Sequence, residues 1–216
     1  MATDNTENSK KKTALILGAT GLVGKELLKA LLNDPRYSMV TCFLRRPLSA
    51  KSFEHHEDKI QPIVIDFDTM DDYASYFDVD HVYVCLGTTI KIAGSQEAFR
   101  KVDYDYVAKA AQLSADNGAK SFAWVSSVGA NAKSGNFYLR VKGELENAIF
   151  SMAGLAHKSC VQPSLLVGKR DDYRFGERIG IRIFSLLEPL MIGPLRKYRP
   201  IAATEVAKQM MSQQLW

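Results

Sequence analysis

Tyr138 and Lys142 are separated by three residues, and a Ser126-Ser127 pair stands one loop upstream. On a helix, positions i and i+4 lie one above the other, so the phenol and the ammonium project from one face. A phenol titrates near pH ~10 in water, and a neighbouring cation favours its ionised form. A serine hydroxyl at the end of a strand can hold and orient an oxygen of a bound molecule. These groups together suit proton transfer to or from a carbonyl-type oxygen. The spacing by itself is common, and an aromatic core residue beside a solvated lysine fits it equally well. The surrounding elements have to decide between the two.

The element that decides most lies near the N-terminus. Residues 13–24 read Thr-Ala-Leu-Ile-Leu-Gly-Ala-Thr-Gly-Leu-Val-Gly. The apolar run Ala14–Leu17 predicts a buried parallel strand, and a helical pattern starts near Leu22. Gly18 allows a sharp turn off the strand. Gly21 lets backbone approach a diphosphate, and Gly24 lets the helix pack closely on its strand. Thr20, Leu22 and Val23 complete the turn and the helix start, whose free N–H groups and positive dipole end favour an anion. Three spaced glycines also suit a turn with no ligand. Their place between the first strand and first helix of an alternating β/α chain is what the dinucleotide mechanism requires.

The rest of the chain continues that alternation. A second strand, Met39–Leu44, runs into Arg45-Arg46. In dinucleotide folds the end of this strand faces the adenosine ribose, where an acid would bind the 2′-hydroxyl. Two arginines match a 2′-phosphate instead. A charge-assisted hydrogen bond is worth ~1.5–3 kcal/mol, so one pair favours NADP over NAD by about tenfold or more. A solvated arginine pair in a turn is the structural alternative. Ile60–Asp66 predicts a third strand, with Asp66 and Phe67 at its end. Asp66 is placed to meet the adenine edge, and Asp68 or Thr69 to cap the short helix Asp71–Phe77. His81–Leu86 is a fourth strand, closed by Leu86, Gly87, Thr88 and Thr89 over the ligand crevice.

A long helix follows over Ser95–Asn117, with Phe99, Val102, Tyr106, Val107, Ala110 and Leu113 on its apolar face. Ser121–Ser126 is the fifth strand. The helix carrying Tyr138 and Lys142 starts near Asn136, and Lys158–Gln162 is the sixth strand, ending at Pro163. Six strands with helices between them predict an α/β fold, a doubly wound parallel sheet in the order 3-2-1-4-5-6. Its crevice opens between strands one and four.

Composition narrows the class. The 216 residues are 46% hydrophobic, enough for the core of one domain over 13–216. No apolar run reaches the ~20 residues that span a bilayer, which argues against stable membrane insertion. A net charge of +4 without a dense basic stripe argues against a nucleic-acid partner. The three cysteines, Cys42, Cys85 and Cys160, each fall in an expected strand and read as buried thiols of a reducing compartment. His55, His56, His81 and His157 form no metal-ligand cluster. Residues 1–12 are polar, end in three lysines and lack the apolar core of a signal peptide, which predicts a disordered tail and a cytoplasmic protein.

Gly18-Ala-Thr-Gly21-Leu-Val-Gly24, Arg45-Arg46, Asp66-Phe67, Leu86-Gly87-Thr88-Thr89, Ser126-Ser127 and Tyr138-x-x-x-Lys142 resemble the atypical short-chain dehydrogenase/reductase superfamily. The chain from about residue 12 onward resembles, more narrowly, its Tat-interacting protein (oxidoreductase-like) family. The Cys85–Thr89 stretch, Val102-Asp103-Tyr104-Asp105-Tyr106-Val107 and the Tyr138–Glu144 helix carry that closer likeness. The resemblance implies an NADP(H)-binding Rossmann fold with a Ser-Tyr-Lys set. Ser127 is then the catalytic serine ahead of Ser126, and Tyr138 and Lys142 also contact the cofactor. Pro163-Ser164 stands where Pro-Gly commonly borders the nicotinamide, and the Ser95–Asn117 helix offers no asparagine for the proton relay of many relatives.

The segment 169–200 is expected to form a small cap on the substrate side. Residues 169–199 carry eight lysines and arginines against four acids, which suits an acidic small-molecule substrate. A solvated, membrane-brushing or partner-facing surface suits that charge equally. The Phe175, Ile179, Ile183 and Leu187 stripe reads first as core packing, then as a homodimer contact. Two functions follow from these observations. One is an NADPH-dependent oxidoreductase acting on a small carbonyl-like substrate with Tyr138 as acid/base. The other is an NADP(H)-binding redox-sensing regulator that acts through a protein partner without turnover.

Overall fold

Side chains alternate along β1 (Lys12–Leu17): Ala14 and Ile16 enter one core and Leu15 and Leu17 the other, all of them buried. A strand buried on both faces has to sit inside a sheet covered on both sides. The computed structural model describes residues 11–49, 55–167 and 199–216. Around β1 it places β2 (Tyr37–Leu44), β3 (Ile60–Val64), β4 (His81–Val84), β5 (Ser121–Val125) and β6 (His157–Val161). All neighbours pair in parallel, in the order β3-β2-β1-β4-β5-β6. The doubly wound Rossmann order expected from the sequence is the one found.

Each face has its own layer. On one side α1 (Leu22–Asn33) and the last helix, Ala203–Ser212, pack over the sheet through Leu27, Leu28 and Leu31 with Val206, Ala207 and Met210. On the other side lie α4 (Tyr106–Asp116), α5 (Phe137–Ser151) and a 3-10 segment, Phe67–Phe77. Fully burying one such aliphatic side chain contributes ~1.5–3 kcal/mol, so these two stripes hold the layers in place. Lysines finish two of the connections. Lys59 Nζ donates to the carbonyls of Leu32 and Asp34 at 2.7 and 2.6 Å, at the end of α1. Lys158 Nζ does the same for Phe150 and Met152 at 3.0 and 2.6 Å, at the end of α5. Cations suit a helix C-terminus, where carbonyls lack intrahelical partners.

The structure departs from the sequence reading in several places. The helix expected over Ser95–Asn117 is broken into α3 (Gln96–Arg100), a π-helical turn (Lys101–Asp105) and α4, after a short α2 (Ile90–Ala93). The cap of the 3-10 segment is Asp66, whose carboxylate accepts from the Asp68 N–H at 2.9 Å, and not Asp68 or Thr69. Asp68 is instead engaged by Lys101 and Tyr106 from the π turn and the start of α4. β3 and β4 end two residues short of the expected Asp66 and Leu86, so Cys85 lies just past its strand. The expected tail lies almost wholly outside the described residues, and so does most of the cap, including the Phe175–Leu187 stripe. Short strands β7 (Leu166–Val167) and β8 (Ile201–Ala202) pair in parallel and flank that cap.

Candidate functional site

The turn after β1 is built by contacts that exclude side chains. Gly18 has φ +87° and touches the chain leaving β4. A Cβ there would stand 2.7 Å from the carbonyl of Cys85. A Cβ on Gly24 would stand 2.0 Å from the Gly18 carbonyl oxygen, so α1 reaches this depth only with glycine. Helix α1 begins at Gly21 with no side-chain cap and no acid in its first turn. An uncapped helix N-terminus beside bare backbone is a cradle for a diphosphate. Thr20 and Gly21 lie exposed on it, Leu22 is half-buried, and Val23 is buried against the sheet. The residues present fit a dinucleotide.

The remaining expected contacts line the same end of the sheet. Arg45 and Arg46 follow β2 directly and are exposed. Asp66 and Phe67 follow β3; the Asp66 carboxylate is engaged in its cap, and Phe67 is buried with an edge on a groove shared with Asp68, Lys101 and Tyr106. Leu86, Gly87 and Thr88 follow β4 beside the Gly18 turn. Pro163 follows β6, is buried, and its carbonyl accepts from the Val128 N–H at 3.0 Å, which ties the ends of β5 and β6 together.

Helix α5 starts at Asn136, whose side chain accepts from the Leu139 N–H. That cap fixes the first turn, where Tyr138 sits half-buried with its ring 5.7 Å from that of Phe99. One turn on, Lys142 is buried, and its Nζ lies 2.8 Å from Asp103 Oδ1. Asp103 is itself only 1% exposed, and its other oxygen accepts from the Thr88 N–H at 2.8 Å. The sequence reading looked for an asparagine in this helix and passed over a carboxylate. The signal was present: Asp103 stands four residues from both Phe99 and Val107, in the middle of the apolar stripe.

The two serines are not equivalent. Ser126 is buried, and its Oγ donates to the Glu146 carboxylate, which also accepts from Gln162 Nε2 at 2.8 and 3.0 Å. Ser127 is half-buried, and among the described residues its hydroxyl makes only a long 3.4 Å contact with the Val128 carbonyl. Successive residues leaving a strand point to opposite sides, so the engagement of Ser126 leaves the other side to Ser127. Glu146 is the second group that sequence reading missed. It lies one turn beyond Lys142 on the same helix and reads as an ordinary solvated acid.

Burial sets the cysteines apart from this chemistry. It pushes the Cys42, Cys85 and Cys160 thiols up to about 12, which makes all three poor nucleophiles. Among the described residues no group of His, Cys, Asp or Glu could hold a metal ion. Likewise, no described helix is long and apolar enough to cross a membrane.

Comparison with known proteins points to the same class of ligand. The NAD(P)H-binding family model matches residues 18–158. Protein HTATIP2 of Rattus norvegicus is 37% identical over 179 residues, covering 82% of this chain and 72% of that protein. Protein FMP52-1, mitochondrial, of Scheffersomyces stipitis is 34% identical over 189 residues, covering 85% of this chain and 76% of its own length. The solved structure of UDP-N-acetylglucosamine 4-epimerase from Methanobrevibacter ruminantium M1 superposes with a TM-score of 0.69 at 18% identity. It covers 94% of this chain and 73% of the epimerase, a likeness of fold. The mitochondrial naming of the FMP52 relatives overturns the expectation of a cytoplasmic protein. That expectation rested on a missing apolar signal core, which marks secretion and does not sort the compartments inside the cell. By its matched segment and its relatives, the chain belongs to the NAD(P)H-binding family, among whose members it is a relative of HTATIP2, the Tat-interacting protein, and the FMP52 proteins.

Proposed function

We propose that the protein is an NADP(H)-dependent oxidoreductase that reduces a small carbonyl-like substrate. The observation that carries this reading is the placement of Tyr138 and Lys142 one turn apart on α5, together with a Ser127 hydroxyl just past β5 that no strong contact holds among the described residues. When bound, the reduced nicotinamide supplies a hydride. Ser127 donates a hydrogen bond to the substrate oxygen and orients it. Tyr138 gives that oxygen its proton, and the Lys142 ammonium stabilises the phenolate left behind. The Phe99 ring packs against that of Tyr138 in a tilted contact.

Gly18, Gly21 and Gly24 with the start of α1 receive the diphosphate, and Leu86, Gly87 and Thr88 lie along its path. Arg45 and Arg46 meet the 2′-phosphate, which makes NADP(H) the preferred form. Basic residues of the segment 169–199 favour an acidic substrate. The test is NADPH oxidation across a panel of aldehydes, ketones and keto acids with wild type and Tyr138→Phe. Turnover that falls at least ~100-fold in the variant supports Tyr138 as the acid. Equal turnover in both proteins removes it from that role.

A further inference from the structure

The Asp103–Lys142 pair is the most deeply buried ion pair among the described residues, with side-chain exposures of 2% and 4%. A buried pair contributes little net stability, because desolvating both charges offsets their attraction. Its value has to be sought in where it holds the lysine. Both carboxylate oxygens are used: Oδ1 takes Lys142 Nζ and Oδ2 takes the Thr88 N–H, each at 2.8 Å. Thr88 belongs to the turn that leaves β4 beside the Gly18 cradle. The carboxylate thus ties the turn over the crevice to the ammonium on α5. A second pair one turn away, Arg100 Nη1 to Glu144 Oε2 at 2.6 Å, fastens the same stretch to the same helix.

The π turn spans Lys101–Asp105, with Asp103 at its middle. Local π geometry is rare and often marks a functional position. Lys142 Nζ carries three protons, and Asp103 is its one partner among the described residues. With one N–H held, the other two point in set directions. In a doubly wound sheet the adenosine half lies on the β1–β3 side and the nicotinamide half on the β4–β6 side, which is where Lys142 stands.

We propose that Asp103 is a positioning residue: it holds the Lys142 ammonium toward the nicotinamide half of the cofactor and links it to the Thr88 turn. This rests on the reading that Lys142 faces the nicotinamide half. Asparagine cannot replace it. An amide oxygen would keep the Thr88 N–H, but the amide nitrogen would then present donors to an ammonium that has only donors.

The experiment measures calorimetric binding of NADPH and of adenosine 2′,5′-bisphosphate, which lacks the nicotinamide half, alongside thermal unfolding. Asp103→Asn should weaken NADPH by about tenfold, the loss of one charge-assisted contact, and leave the bisphosphate within about twofold. A double variant, Asp103→Leu with Lys142→Met, removes both charges and keeps the volume, so it should fold. It should show the same selective loss. Equal loss for both ligands in that folded double variant, or no loss in Asp103→Asn, overturns the proposal. Lys142→Met alone separates the two ideas. If it leaves NADPH affinity unchanged, the placement of Lys142 at the nicotinamide fails. If it weakens NADPH while Asp103→Asn does not, only the role of Asp103 fails.

Discussion

Tyr37 Oη lies 2.6 Å from His81 Nδ1, in a buried chain that joins the start of β2 to the start of β4. Donor logic orders it. His81 Nε2 is 2.8 Å from the Leu215 carbonyl, which only accepts, so Nε2 carries the proton. Nδ1 then accepts from Tyr37, and Tyr37 in turn accepts from Tyr83 Oη at 2.7 Å. A second proton on His81 would reverse the direction of that chain and place a charge in the core. Burial accordingly holds the His81 pKa below its ordinary value, against the raising effects of the Leu215 carbonyl and Asp80.

The sign of the pH dependence follows. His81 takes up its proton more readily when the chain is unfolded, where it titrates near ~6.5. Stability from neutral His81 is present above that pH and is lost as pH falls below it. The urea midpoint should therefore fall between pH 7 and 5 in wild type. His81→Phe should lower the midpoint but flatten that slope. Asp80 adds a separate window. Burial alone would raise its pKa, but the hydrogen bonds from Lys120 and the Thr13 N–H, with the charges of Lys120 and Lys12, bring it to about 2. Its contribution is present above ~3.9 and is lost as pH falls from there toward 2. Lys120→Met should weaken that acid-side loss.

Gly24 tests the cradle by packing alone. The Cβ of Gly24→Ala would meet the Gly18 carbonyl at 2.0 Å, so the turn or α1 must move. Overpacking of this kind costs ~1–3 kcal/mol, about 3–10 °C in Tm for a chain of this size. Calorimetry should show that drop together with loss of NADPH binding. A stable variant with intact binding would remove the diphosphate from this turn.

The arginine pair tests cofactor choice. Arg45→Ala with Arg46→Ala should weaken NADPH by about tenfold or more and NADH by much less. Both side chains are exposed, so unfolding curves should barely change. Equal weakening of the two nucleotides would place the 2′-phosphate elsewhere.

The serines should separate function from support. Ser126→Ala strips a hydrogen bond from Glu146 and is expected to lower stability by ~1–2 kcal/mol with turnover largely kept. Ser127→Ala should leave the melting curve in place and cut kcat. Exchange of those two phenotypes would reverse the assignment.

Much of this was legible in the residues themselves. The strand order could be read from the β/α alternation, in which β1, β2, β4 and β5 stand out as short apolar runs, and the turn after β1 because three glycines fall where backbone must approach backbone. Tyr138 and Lys142 share a helix face by spacing alone. What could not be read depended on partners distant in sequence. Asp103 looks like an ordinary helical acid until Lys142, 39 residues on, is placed beside it. The π turn leaves no mark in local propensity. Ser126 and Ser127 differ only once Glu146 and Gln162 close on the first of them.

The last helix rests on α1, with Val206, Ala207 and Met210 against Leu27, Leu28 and Leu31. The strand–turn–helix unit proposed to hold the nucleotide is therefore not autonomous, because its outer flank is roofed by residues some 180 positions later. A ribosome that has released only the stretch through β5 would present that greasy flank bare. Competence to grip a nucleotide should emerge only after the residues through Met210 have been made.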